Sequence, residues 1–197
     1  MADQKRPYRM KRRAELEEAT RQRITESAME LHGTLGPSRT SISAVAERAG
    51  VRRSTVYRHF PDEAALFAAC SAHWAAANPT PDLDHWAAIE DPDERLRRSL
   101  EELYAYYRRT QGMLDNLVRD ESTVPTVKRQ FRGFHDYLTA ARDTLMAGRR
   151  ARGRARRRTQ AAIGHTVAFT TWRSLAREQG LDDAQAADLM CRLVAAS

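Results

Sequence analysis

Apolar residues recur along this chain at steps of three and four, the spacing of one helix face, and no stretch alternates apolar and polar residues as a half-buried strand would. That pattern predicts an all-α protein of about nine helices. Ile24, Ala28 and Leu31 mark a first helix over about 15–33, and a fourth runs from about Asp62 to Ala77. Between them, Ile42, Val45, Ala46 and Ala49 share one face of a short helix that Ser41 can cap and Gly50 can end. A second short helix comes at once, with Val56 and Phe60 turned inward.

Prolines divide the next part of the chain. Asn78 to Asp84 is a proline-rich connection, with room for a short helix near Trp86, and Leu96, Leu100, Leu103, Tyr104 and Tyr107 define a helix from Asp93 to Arg109. Val127, Phe131, Phe134, Leu138, Ala141 and Leu145 define another, from Val127 to Met146. No proline occurs after Pro125, so the closing helices are expected to be long, at about 156–179 and Asp183 to Ala195. Gly180 should end the first of these. Asp182 and Gln185 form the two halves of a capping box for the second.

Charge changes the picture at two places. Residues 1–60 hold 13 Lys or Arg against 7 acidic residues, and residues 149–158 hold seven Arg and no acid, while the remainder is acidic. Cation is therefore concentrated, which argues for a directed nucleic-acid footprint rather than a general coat. The run from Arg149 to Arg158 reads as a flexible connection between helices. Lys5, Arg6, Arg9, Lys11, Arg12 and Arg13 form a basic arm over residues 1–14, expected to be disordered and able to lie along phosphates.

The two short helices carry the most specific chemistry. A helix pair hinged at a glycine, with a polar and cationic second helix, has the plan of a helix-turn-helix that reads double-stranded DNA. Arg53, Ser54, Tyr57 and Arg58 project where a major groove could accept them. Arg53 is the first choice for base reading, since a guanidinium fits both acceptors of guanine. Arg52, Thr55, Tyr57, His59, Thr40 and Ser41 suit phosphates, together with Lys11 and Arg12 of the arm.

Ala49-Gly50-Val51, followed by Thr55-Val56-Tyr57 and then His59-Phe60, resembles the signature of tetracycline-repressor (TetR) family regulators over about a quarter of the chain. Four positions depart from the family's usual residues: His32 in place of Phe, Arg52 of Ser, Ser54 of Gly and Glu63 of a phosphate-touching Lys. A polar ring at His32 must find a hydrogen-bond partner or cost stability. Arg52 gives up a helix cap and adds a cation, whereas Glu63 replaces an attraction to phosphate by a repulsion.

The resemblance implies a domain order of basic arm (1–14), helix-turn-helix domain (15–61) and ligand-binding and dimerisation domain (62–197). It also implies a homodimer on a near-palindromic operator, released by a small, largely apolar ligand, with repression the usual outcome. The aromatic set Tyr104, Tyr107, Phe134, Phe169 and Trp172, with His165, is the expected ligand pocket, although stripes at this spacing are also ordinary core. His165 is either a polar handle there or a satisfied core histidine. Ile163, Val167 and Leu175 on one closing helix, and Leu189, Met190 and Leu193 on the other, are the expected dimer interface.

Other function classes find little support. The six histidines form no metal-binding pair at helical spacing, and no phosphate loop or nucleophile elbow occurs, so no enzyme, cofactor or metal is expected. Cys70 and Cys191 read as reduced thiols. No apolar run approaches the ~20 residues needed to span a bilayer, which makes a cytoplasmic protein without membrane contact the expectation.

Overall fold

The structure, a computed structural model, describes residues 5–197. Residues 1–4 of the expected arm lie outside the described residues, as do the side chains of Lys5, Arg6 and Arg9. Ten α-helices are present among the described residues, with no strand. They are α1 (Lys5–Thr34), α2 (Ile42–Arg48), α3 (Arg53–His59), α4 (Glu63–Ala77), α5 (Leu83–Ala87), α6 (Pro92–Asp120), α7 (Pro125–Met146), α8 (Gly153–Thr166), α9 (Phe169–Arg173) and α10 (Asp183–Ala195). A 3₁₀ turn at Pro37–Arg39 precedes α2, and a π-helical turn at Ser174–Glu178 comes after α9.

Helix α1 begins at Lys5, ten residues before the expected start, so the arm is helical from that point rather than a disordered segment. Lys, Arg, Met, Ala, Glu and Leu all favour helix, and Pro7 falls in the first turn, where its missing N–H costs no intrahelical bond. Helix α6 likewise continues past Arg109 to Asp120, because no proline interrupts it and Gly112 alone does not break a helix. Asp91 starts it, accepting from the backbone N–H groups of Asp93 and Glu94 at 2.9 and 2.7 Å.

The chain forms two compact units, one of residues up to Asn78 with Asp115–Gln130, the other of Pro79–Leu114 with Phe131–Ser197. The division falls at Asn78 and not at Pro61, because α4 packs its Leu66 and Cys70 into the core of the first unit. That core joins Ile24, Ala28 and Leu31 of α1 to Ile42, Val45 and Ala46 of α2, then Ala49, Val56 and Phe60. Each Ile, Leu, Val or Phe side chain among them, where fully buried, contributes about 1.5–3 kcal/mol before entropy is counted, and each Ala less.

In the second unit the expected helix over 156–179 is two helices, interrupted at Val167 and Ala168. The break has a visible cause. Tyr104 and Tyr107 are fully buried, so their hydroxyls need acceptors, and they donate to the carbonyls of Thr166 and Val167, groups that an unbroken helix would have used itself. Thr166 and Val167 are β-branched and hold a helix less firmly than Ala or Leu. The arginine run also differs from expectation: α8 begins at Gly153, which puts Arg154, Arg156, Arg157 and Arg158 on its first turns. Arg149 is anchored, donating to Asp93, Pro92 O and Leu145 O. At the end of the chain Gly180 takes φ 73°, and Asp182 with Gln185 completes the capping box of α10.

Candidate nucleic-acid interface

The helix pair α2 and α3 is built from local rules that the sequence obeys. Ser41 caps α2, its side chain accepting from Ala44 N at 3.1 Å. Gly50 turns the chain with φ 63°, a left-handed value that glycine adopts without strain. Arg52 stands at the N-cap of α3 without a side-chain cap bond, as its length and charge imply. Asp62 starts α4 by accepting from Ala65 N at 2.7 Å, which leaves Glu63 exposed in the first turn.

Helix α3 buries Val56 and, at its C-cap, Phe60 completely or nearly so, while Arg52, Arg53, Ser54, Tyr57 and Arg58 are exposed. Of these, Arg53 and Tyr57 are joined: Arg53 Nη2 donates to Tyr57 Oη at 3.2 Å, and the guanidinium carbon lies 5.5 Å from the ring centre. This bond and the phenol's electrostatics raise the Arg53 pKa, so the side chain is a permanent cation. Ser41 is exposed at the start of α2, and Lys11 and Arg12 are exposed on α1.

Thr40, Thr55 and His59 are half-buried and less available than expected. The Thr40 hydroxyl donates to Gly36 O at 2.8 Å. His59 Nε2 is buried with no hydrogen-bond partner. Burial, then the nearby cations Arg58 and Arg21, lower the pKa of His59, so at neutral pH the ring carries no charge with which to attract phosphate. Arg21, which was not among the expected residues, holds the end of α3: Nη1 donates to His59 O at 2.7 Å, and the guanidinium lies 4.3 Å from the centre of the Phe60 ring. An Arg three residues before Ile24 on a core-facing helix was the only hint.

His32 finds its partner. It is 8% exposed, with Nδ1 3.3 Å from Cys70 Sγ and its ring 5.1 Å from that of Phe67. Burial lowers its pKa to about 4, partly opposed by the carboxylate of Asp120. The Cys70 thiol donates to Phe67 O, and burial pushes it up to about 12, which makes it inert.

In the second unit Tyr104, Tyr107, Phe134, Phe169 and Trp172 pack together, and His165 lies elsewhere. Tyr107 is the hub, with ring centres of Phe169 at 5.4 Å, Trp172 at 5.9 Å, Tyr104 at 6.3 Å and Phe134 at 6.4 Å. Tyr106, which was not singled out, joins at 5.9 Å. Trp172 Nε1 donates to Asp183, which also receives a two-pronged bond from Arg108. His165 belongs to neither alternative: it is exposed, 3.2 Å from Thr171 Oγ1, on the face of α8 that also exposes Arg154, Arg158 and Ala161.

The expected dimer residues separate into two groups. Ile163, Val167 and Met190 are buried inside the chain's own second unit and have almost no surface left to offer a partner. Helix periodicity marks a buried face but not what buries it. Leu175 is half-buried, whereas Leu189 and Leu193, one turn apart on α10, are 43% and 42% exposed.

No helix among the described residues is long and apolar enough to cross a membrane. Residues 24–70 match the family described as bacterial regulatory proteins, tetR family. Among solved structures, a TetR-like transcriptional regulator from Rhodococcus sp. RHA1 is similar with a TM-score of 0.65 at 19% identity, over 89% of this chain and 93% of that one. A further transcriptional regulator from the same strain gives 0.61 at 15% identity over 89% and 94%. The TetR family transcriptional regulator PfmR from Thermus thermophilus gives 0.59 at 18% identity over 87% and 96%. At these identities the likeness is one of fold. No curated protein matches the chain.

Proposed function

We propose that this chain is a transcriptional regulator of the tetR family, a homodimeric repressor that reads a near-palindromic operator with two copies of α3 and releases it when a small, largely apolar ligand binds the second unit. The observation that carries the reading is the surface of α3, where Arg52, Arg53, Ser54, Tyr57 and Arg58 are exposed together, on a helix pair whose first member Ser41 caps. Arg53 presents a paired set of donors suited to guanine, while Arg52, Tyr57, Ser41, Lys11 and Arg12 reach for phosphates. Dimerisation is supported by Leu189 and Leu193, an exposed apolar pair that a second copy of α10 would cover.

Ligand response is supported by the ring cluster around Tyr107, a largely apolar interior of the second unit. Ligand and operator would then oppose one another, with a coupling of typically ~1–3 kcal/mol. The test is a titration of the protein against the duplex flanking its own gene and against random duplex, over a salt series. Specific reading requires a preference of roughly 10³ or more that survives rising salt, whereas a mere polycation releases both duplexes together.

A further inference from the structure

The connection from α1 to α2, residues 35–41, is held by groups more than eighty residues further along the chain. Asn116 Nδ2 donates to His32 O at 3.0 Å and Gly33 O at 2.9 Å, so two carbonyls at the end of α1 are satisfied from the last turns of α6. Arg119 Nη2 donates to Leu35 O at 3.0 Å, and Asp120 Oδ2 accepts from Ser38 N at 2.9 Å. These three side chains also bind one another: Arg119 Nη1 donates to Asn116 Oδ1 and Arg119 Nε to Asp120 Oδ1, each at 2.8 Å.

The backbone is shaped to admit them. Gly36 has φ 94°, and a β-carbon there would stand 1.9 Å from Arg119 Nη2 and 2.8 Å from Asp120 Oδ2. Asn116 and Asp120 are 8% and 2% exposed, so the network is closed to solvent on that side. Burial works to raise the pKa of Asp120, but the bonds from Arg119 and Ser38 outweigh it and keep the carboxyl ionised. From this point Thr40 closes onto Gly36 and Pro37, and Ser41 caps α2.

We propose that Asn116, Arg119 and Asp120 are positioning residues for DNA reading: they lock the connection that carries the exposed Ser41 to the phosphates. The inference rests on the DNA-reading function proposed above. The hydrogen bonds that the trio makes outward go to the α1 end and the connection, and none to the apolar core of α1 to α4. Removing one of them therefore takes no apolar side chain from that core and loosens the connection. Ser41 is uncharged, so its phosphate contact fixes register without releasing a counterion, and a loose connection weakens selective binding more than mobile, non-selective binding.

The experiment compares wild type, Asp120→Ala, Asp120→Asn and Arg119→Ala on operator and random duplexes at matched salt, with circular dichroism to certify the fold and hydrogen exchange at the Ser38 amide. Asp120→Ala should lose about tenfold in operator affinity, with far less change on random duplex, and should expose the Ser38 amide to exchange. Asp120→Asn keeps an oxygen for Ser38 N–H and should recover most of both. If Asp120→Ala fails to fold, Arg119→Ala carries the test, since its side chain is 42% exposed and its loss opens no core. Equal losses on both duplexes, or full operator affinity in the folded variants, overturn the positioning role alone. Wild-type protein that prefers no duplex refutes the DNA-reading function and this role with it.

Discussion

Replacing His32 by Phe should remove a pH dependence that the native chain carries in its first unit. Burial beside Phe67 and Cys70 lowers the imidazole from 6.5 to about 4, with Asp120 opposing part of the effect. Between those values the unfolded chain binds a proton that the folded chain refuses. Stability is therefore fully present above pH 6.5 and declines as pH falls toward 4, by about 1.4 kcal/mol for each pH unit. Over the whole window that is about 3 kcal/mol, and about 2 kcal/mol by pH 5, where most carboxylates are still ionised. The assay is urea unfolding of wild type and His32→Phe at pH 7.5, 6 and 5, with the imidazole followed by NMR in the native chain. The difference between the two proteins isolates the histidine from the carboxylates that both share. Parallel acid limbs, or a ring that titrates near 6.5, would refute the reasoning.

Three further outcomes are expected from the same geometry. Arg53→Ala should relax sequence preference on duplex panels, whereas Lys11→Ala should weaken all duplexes alike and reduce the salt slope by about 1; equal losses across sequences for Arg53→Ala would remove its base-reading role. Asp182→Ala breaks the capping box of α10 and should cost about 1 kcal/mol, seen as a fall of about 2–4 °C in the melting temperature. Trp172 and Arg108 share Asp183, so Asp183→Ala strands a buried indole N–H and should destabilise by about 1–3 kcal/mol in chemical unfolding, more than Asp182→Ala.

What the sequence made legible was whatever is decided within a few residues. Ser41, Gly50, Asp182, Gln185 and Gly180 are governed by caps and turns, and each stands as its chemistry dictates. The inward set of α2 and α3 was readable too, because 3.6-residue periodicity is a local property. The misses are of another kind. The break between α8 and α9 is imposed by Tyr104 and Tyr107, some sixty residues upstream, and the lock on the α1–α2 connection comes from α6. Ile163, Val167 and Met190 show the same limit: their spacing announced burial, but the unit's own core supplies it, and only Leu189 and Leu193 of the set are left outward. The basic arm was read from charge alone, while good helix formers on either side of Pro7 let α1 run through it.

Footprinting of the isolated operator tests the twin-helix reading most directly. Two chains should protect two tracts of major groove related by a dyad and centred about 34 Å apart, or a multiple of that, and inserting five base pairs between the half-sites should abolish the protection. A single protected tract, one chain per site, or indifference to the insertion would contradict it.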